Sequence, residues 1–196
     1  MAEFIKAFGI SMLHEGGFAN DPDDKGGMTY KGIARKFHPK WEGWKIIDLV
    51  LQKKLQNINL ALKNDQKLQE LVSKFYLDNF WNPLCLEQMP QAIANELFDT
   101  GINMGTNKAG EYLQDALNLL NKWNPYLKVD GKIGSATINA LKVYYSRRPD
   151  YIEERDHTIT LLKVLNGLQF MRYYEIVKRD SNQLKFFYGW LNRISY

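Results

Sequence analysis

The sequence predicts a mainly α-helical fold that contains one small β-hairpin. Apolar residues recur at spacings of three and four along most of the chain, which is the spacing of one face of an α-helix. A single stretch, residues 18–28, is instead dense in glycine, proline, asparagine and aspartate, which favour turns. Outside that stretch, no segment alternates clearly between apolar and polar residues, as a half-buried strand would.

The individual elements follow from these patterns. Residues 3–14 have the apolar spacing of an amphipathic helix, and the Gly16–Gly17 pair is expected to end it. The turn-rich segment then predicts a long loop or a tight hairpin, with Met28–Tyr30 as a short strand on its far side. Helical patterns continue over residues 44–81, 90–105, 108–123, 135–145, 151–178 and 184–194. We expect a break within 151–178, near Asn166–Gly167.

Composition and charge exclude several classes of protein. The 196 residues are 45% hydrophobic, so the chain can bury a substantial core, and 26 basic against 22 acidic residues give a net charge of +4. So small an excess of basic residues does not indicate a nucleic-acid partner. A single cysteine, Cys85, excludes an intramolecular disulfide and a cysteine-based zinc site. Without an apolar run near 18 residues or a signal peptide, we expect cytoplasmic synthesis and no stable membrane insertion.

The segment most suggestive of chemistry begins at Glu15, where the predicted first helix opens into the glycine-rich loop. Partial burial and the C-terminal helix dipole are both expected to raise the pKa of this carboxyl, so that it can donate a proton. Nine residues later, Asp24 lies in polar surroundings and is expected to stay ionised. Two carboxyls in unlike environments are what glycosidic hydrolysis requires, a pattern borrowed from lysozyme. Thr29 is a candidate for orienting a water on the opposite face of the sugar.

Other interpretations of this segment stay open. Glu15 is equally explained as a solvated residue at a helix end, with the neighbouring aspartates capping turns. The loop also weakly resembles a calcium loop, but Lys25 and Gly32 stand where oxygen ligands belong. The three histidines are scattered and form no ligand pair, so no metal or other cofactor is expected.

A second polar feature lies on one face of the helix predicted over residues 90–105. Asn95, Asp99 and Asn103 follow one another at intervals of four, which places them in a stripe. Solvation is the ordinary explanation for such a stripe, and the alternative is a cleft wall that binds sugar hydroxyls. Aromatic residues are candidates for stacking on sugars, although each is as readily explained as core: Tyr30, Trp41, Trp44 and Trp81.

Several long motifs resemble glycoside hydrolase family 108, whose members are phage-type N-acetylmuramidases also called secretion activator proteins. The first motif reads Glu15-Gly-Gly-Phe18, Asn20-Asp-Pro-x-Asp24 and Gly26-Gly27-x-Thr29-x-x-Gly32-Ile33. A second is similar to a central helix motif of the family: Phe98-Asp-Thr-Gly-Ile-Asn-Met-Gly105. The rest resembles a C-terminal peptidoglycan-binding region, in Leu113-Gln-Asp-Ala-Leu-Asn118, Val129-Asp-Gly-Lys-Ile-Gly134 with Thr137, and Gly189-Trp-Leu-Asn-Arg193.

The resemblance implies a lysozyme-like helical fold that cleaves the β-1,4 bond between N-acetylmuramic acid and N-acetylglucosamine. It implies that Glu15 is the general acid, and it places Asp24 and Thr29 similarly to the second acid and the threonine of phage lysozymes. Asp21 and Asp23 remain substitutes for the second acid. Phe18, which often appears as tyrosine in the family, is a candidate substrate contact.

The same resemblance predicts the domain organisation of the chain and its binding partner. We expect a lysozyme-like catalytic region over residues 1–105 and a helical peptidoglycan-binding region over 106–196, packed on it. Tyr30, Asp99 and Asn103 are the other candidate substrate contacts, and glycan strands of peptidoglycan are the partner. Action on the cell wall requires a holin-like pore, another export route or lysis. The alternative is a non-catalytic wall-binding or secretion-associated protein with the same fold.

Overall fold

The computed structural model describes residues 1–13, 15–20, 27–122, 124–146 and 154–194, with the backbone alone at 154–156. The fold is mainly α-helical with a small antiparallel sheet, as the sequence predicts. Two compact units are present. Residues 8–79 form the sheet unit, and residues 1–7 together with 80–196 form the helical unit. The division predicted at residue 105 differs from these boundaries and stays a prediction.

The elements of the sheet unit lie in the first 79 residues. Its strands and helices are β1 Phe18–Asn20, β2 Met28–Tyr30, β3 Ile33–Ala34, α2 Gly43–Gln52, α3 Ile58–Asn64 and α4 Gln66–Tyr76. Helix α1 Phe4–Ser11 contributes to both units. Asn57 and Asp65 begin α3 and α4, because each side chain accepts a hydrogen bond from a backbone N–H in the first turn.

The helical unit begins its second segment within a π-helical turn, Leu77–Trp81, and includes two 3-10 turns, Asn82–Leu84 and Leu86–Gln88. Its helices are α5 Gln91–Met104, α6 Thr106–Leu120, α7 Ser135–Ser146, α8 Glu154–Arg179 and α9 Leu184–Leu191. Helices α5, α6 and α8 pack against one another. Among the described residues, no helix is both long and apolar enough to cross a bilayer.

The sheet contains a second hairpin that the sequence did not reveal. Strand β2 pairs with β1, as expected for the predicted strand Met28–Tyr30, and also with β3 through a two-residue turn. The turn residues Lys31 and Gly32 have φ values of +45° and +76°. Positive φ at both positions is typical of the type I′ turns that connect tight hairpins. Lysine followed by glycine is a weaker signal for this turn than asparagine followed by glycine.

Two helix predictions are corrected. Helix α1 ends at Ser11 and not at residue 14, so the chain leaves the helix before it reaches Glu15. Helix α8 is continuous through Asn166 and Gly167, where the sequence suggested a break. An interior glycine costs about 1 kcal/mol in a helix. Packing of α8 on both sides of the glycine offsets this cost. The buried residues continue through it at intervals of four: Leu161, Leu165, Gln169 and Tyr173.

Aromatic rings form a large part of the core in each unit. In the sheet unit, Trp41 packs edge-on against Trp44 at 5.2 Å, and the indole N–H of Trp44 donates to the backbone oxygen of His38. In the helical unit, three rings meet edge-to-face at centroid distances of 5.6–5.9 Å: Phe4, Trp81 and Phe98. Edge-to-face pairs of this kind each add about 0.5–1.5 kcal/mol beyond the area that they bury.

A buried glutamine fixes the loop between α6 and α7. The side-chain oxygen of Gln114 accepts hydrogen bonds from the backbone N–H groups of Asp130 and Gly131, at 3.0 and 2.8 Å. Its amide nitrogen donates to the Asp130 carboxylate and to the backbone oxygen of Lys132, both at 3.1 Å. The Asp130 carboxylate also accepts from the Lys132 N–H, and these hydrogen bonds lower the pKa of Asp130. Hydrogen bonds from Gln114 and Asp130 therefore stabilise the conformation of this loop.

We expect Gln114→Ala to destabilise the protein by about 2–3 kcal/mol, because the N–H groups of the loop lose a buried acceptor. Urea unfolding followed by circular dichroism measures this loss. Gln66→Ala is the matched control, since Gln66 is an exposed glutamine on α4. Equal stability of the two variants would contradict the role given to Gln114.

Candidate active site

Glu15 lies in the connection between α1 and β1, four residues beyond the end of the helix, and its side chain is partly buried. The effect of a helix dipole is confined to the last turn. The sequence-based argument that placed Glu15 at a helix C-terminus is therefore wrong in that respect. What surrounds Glu15 comes instead from the sheet and from α4.

The Glu15 carboxyl and the Tyr76 hydroxyl converge on Gly32. A Cβ atom at position 32 would lie 2.5 Å from Oε2 of Glu15 and 2.7 Å from the oxygen of Tyr76. Tyr76, at the end of α4, is 2% exposed, and its hydroxyl donates to the backbone oxygen of Lys31 at 2.6 Å. The β2–β3 turn thus anchors the tyrosine with one residue and leaves room for the carboxyl at the next.

The chain on the other side of Glu15 is held by α3. The backbone N–H of Phe18 donates to Oδ1 of Asn59 at 2.6 Å, and a Cβ atom at Gly17 would collide with the same amide. The backbone oxygen of Gly17 accepts from the Lys31 N–H at 3.4 Å. Contacts with α3 and with the turn therefore restrict the segment that carries Glu15.

Behind the turn, Gln69 connects three residues of the sheet unit. It accepts from the Lys31 ammonium at 2.7 Å and donates to the Tyr30 hydroxyl at 3.0 Å and to the backbone oxygen of Leu62 at 2.8 Å. Burial lowers the pKa of Lys31, and the charge of Lys63 adds to this. Burial also raises the pKa of Tyr30, against the opposing effect of its hydrogen bond from Gln69.

Two predicted members of the site lie on β2, and their surroundings differ. Tyr30 is 1% exposed, so its ring offers no face to a sugar and the predicted stacking role is wrong. Thr29 is partly buried, pairs with Ala19 and Ala34, and points to the face of the strand opposite to Tyr30. Phe18 is partly buried and pairs with Tyr30.

The predicted second acid, Asp24, lies outside the described residues, as do Asp21 and Asp23. Its place beside Glu15 stays a prediction. Among the described residues, no cluster of three or more histidine, cysteine, aspartate or glutamate side chains could hold a metal ion.

Asp99 and Asn103 belong to the helical unit. The Asp99 carboxylate accepts from Nη1 of Arg193 at 3.1 Å and from the Asn103 amide at 2.9 Å. The side chains of the ion pair are only 14% and 15% exposed. The stripe on α5 therefore includes a shielded link to the segment after α9, and substrate binding by Asp99 and Asn103 stays a prediction.

The candidate stacking tryptophans are also mainly core residues. Trp44 and Trp81 are 2% and 3% exposed. Trp41 is partly buried, and a Cβ atom at Gly43 would collide with its ring. Trp44 and Trp81 therefore present no open face, and Trp41 is partly covered by its neighbours.

Comparison with known protein families agrees with the motifs. Residues 9–105 match the family model described as "Glycosyl hydrolase 108". The chain belongs to glycoside hydrolase family 108. Residues 108–195 match a second model, described as "Predicted Peptidoglycan domain". Together these matches support a protein that hydrolyses or binds peptidoglycan.

Solved structures show that the fold is shared. A chain described as the structure of Brucella abortus SagA has 22% identity and a TM-score of 0.62, over 97% of this chain and 88% of that one. At this identity the likeness concerns the fold alone. A search of curated protein sequences gives no significant match.

Within the family 108 region, sequence reasoning missed Tyr76 and Gly32 as neighbours of Glu15. Tyr76 lies within the helical pattern of residues 44–81, and Gly32 belongs to the long motif and to the weak calcium-loop pattern. No residue pattern in the sequence predicts that the end of α4 lies against the end of β2. The motif that ends in Gly32 was the one available signal.

We expect Gly32→Ala to destabilise the protein about 1–3 kcal/mol more than Gly27→Ala, because its methyl group would displace Glu15 and Tyr76. Both glycines have positive φ, +76° and +64°, so both variants carry backbone strain. Among the residues that the structure describes, none lies within 4 Å of a Cβ atom at Gly27, which makes this glycine the control. Urea unfolding of the two variants gives the comparison, and equal losses would show that the contact at position 32 is unimportant.

Proposed function

We propose that this protein is an N-acetylmuramidase that cleaves the β-1,4 bond between N-acetylmuramic acid and N-acetylglucosamine, with Glu15 as the general acid. The observation that carries the proposal is the convergence of the Glu15 carboxyl and the Tyr76 hydroxyl on Gly32, inside the family 108 region. The match of residues 108–195 to a peptidoglycan domain supports the choice of polymer.

The hydrogen bonding of Tyr76 holds its hydroxyl in place beside the Glu15 carboxyl. A tyrosine hydroxyl has one proton, and that of Tyr76 is donated to the backbone oxygen of Lys31. Tyr76 is a positioning residue in this proposal, and Gly32 provides the space.

In the proposed reaction, the Glu15 carboxyl gives its proton to the glycosidic oxygen as the bond to the anomeric carbon breaks. Positive charge develops on the sugar ring, and water adds to the anomeric carbon and loses a proton. Asp24 is proposed to stabilise that charge or to accept the proton, and Thr29 to orient the water. The residues of this chain suffice for the reaction, so no cofactor is proposed.

A non-catalytic wall-binding protein is the second candidate, and the peptidoglycan-domain match is the observation that favours it. The two candidates differ in what purified walls would show. A binder co-sediments with walls and releases no new reducing ends. The presence of Glu15 in a restrained position beside a tyrosine favours the enzyme.

We expect Glu15→Gln to lower the rate of peptidoglycan hydrolysis about 10²–10⁴-fold, the usual contribution of a general acid, because the amide has no proton to give. Mass spectrometry of the digest identifies the bond that is cut, and a reducing-end assay gives the rate. Glu42→Gln is the matched control, since Glu42 is an exposed glutamate of the same unit. If Glu15→Gln hydrolyses peptidoglycan at the wild-type rate, Glu15 is not the general acid. If the wild-type protein binds walls without hydrolysing them, the second candidate is favoured.

We expect Asp24→Asn to lower the hydrolysis rate at least tenfold, because a neutral amide stabilises developing positive charge less well than a carboxylate. Asp21→Asn and Asp23→Asn are the matched controls from the same loop and should retain most of the activity. The same reducing-end assay compares the three variants. If Asp21→Asn or Asp23→Asn has the largest effect, the second role belongs to that residue.

Peptidoglycan lies outside the cytoplasmic membrane, so the proposed enzyme acts at the cell wall after export or lysis. A holin-like pore is one such route and remains part of this proposal. The net charge of +4 favours approach to an anionic wall, and salt would weaken that attraction.

A further inference from the structure

The helical unit contains a cavity of about 450 Å³ that the proposed reaction does not use. It is lined by one face of α7, by Gly134 and by Cys85 and Gln88, which lie at and within the second 3-10 turn. The α7 residues that line the cavity have the spacing of one helical stripe: Ser135, Ile138, Asn139 and Lys142. Its volume falls within the roughly 300–1,000 Å³ that is usual for small-ligand sites.

Apart from Ile138, the α7 residues that line the cavity lie outside the face that packs in the core. The buried residues of the helix include Thr137, Ala140, Leu141 and Tyr144, and α7 contacts α6 and α8. Ser135, Asn139 and Lys142 are exposed instead, while Ile138 is 6% exposed and forms an apolar floor. Packing therefore does not account for the polar residues of this stripe.

The chemistry of the lining suits an anionic ligand with peptide groups. Lys142 is a cation, Asn139 and Gln88 carry amides, and no lining residue is acidic. Among the described residues, Lys142 has no ion pair. The Gln88 amide donates to Glu87 at 3.3 Å, which leaves its oxygen and its second proton for a ligand.

Cys85 contributes an apolar wall to the cavity. Burial raises the pKa of its thiol, and the charge of Glu87 adds to this. The sulfur lies 3.6 Å from the backbone oxygen of Ile133, to which the thiol donates. A neutral thiol and the Ile138 side chain together suit small methyl groups.

Two parts of peptidoglycan are candidate occupants, the glycan and the peptide stem. None of the lining residues is aromatic, so the cavity lacks the flat rings on which sugars stack. Peptide stems are short, contain alanine methyl groups and carry free carboxylates. A cation, amide donors and acceptors, and an apolar floor match that combination.

We infer that this cavity binds the peptide stem of peptidoglycan, with Lys142 paired to a stem carboxylate and Asn139 and Gln88 bonded to its peptide groups. The inference rests on the proposed function in one respect, namely that peptidoglycan is the polymer recognised. It adds a stem-binding site on residues outside the Glu15 site.

The test is a calorimetric titration of the full chain with the synthetic tetrapeptide L-Ala-γ-D-Glu-L-Lys-D-Ala. Lys142→Gln should weaken binding about threefold to tenfold, because an interaction with a charged partner is lost. Asn139→Asp should weaken it to a similar degree, since it places a negative charge beside the carboxylate. Lys163→Gln is the control, because Lys163 is an exposed lysine of the same unit outside the cavity.

Two results would overturn the inference: no binding of the tetrapeptide to wild-type protein at millimolar concentration, or equal affinities for Lys142→Gln and Lys163→Gln. Reducing-end release by the same wild-type sample reports the proposed function separately. Peptide binding that depends on Lys142, without hydrolysis, supports the inference and contradicts the proposed enzyme. Hydrolysis without peptide binding supports the enzyme and rejects the inference.

Discussion

The absence of a side chain at Gly32 is the constraint on which the candidate site depends. The Glu15 carboxyl and the Tyr76 hydroxyl both occupy space that any Cβ atom at this position would need. The same residue has a φ of +76°, which the tight turn between β2 and β3 requires and which glycine adopts without strain. One glycine thus meets the demands of the hairpin and of the site together.

The remainder of the sheet unit holds that arrangement in place. Asn59 fixes the backbone at Phe18, and Gln69 joins Lys31 to Tyr30 behind the turn. The hydrogen bonds of Gln69 are partly buried, where a hydrogen bond is costly to lose, whereas the one between Phe18 and Asn59 is exposed. The aromatic residues that are candidates for stacking on sugars are mainly buried and pack in the core.

In the helical unit, polar residues of the family motifs also form hydrogen bonds within the unit. Gln114 and Asp130 belong to a motif that resembles a binding region, but their hydrogen bonds are directed at the loop between α6 and α7. Asp99 is paired with Arg193, 94 positions later in the chain, and this pair connects two of the motifs. On α7, by contrast, Ser135, Asn139 and Lys142 are exposed and line the cavity.

The sequence by itself determined the helical class, the strand at Met28–Tyr30 and the family, because helical periodicity, turn-forming residues and long mixed motifs are local signals. It also singled out Glu15. The tertiary structure decided where α1 ends, that α8 runs through Gly167, and that Tyr30, Trp44 and Trp81 are buried. It alone brought Tyr76 and Gly32 to Glu15. Such a meeting depends on packing between elements distant in the chain, and no short-range pattern of residues encodes that.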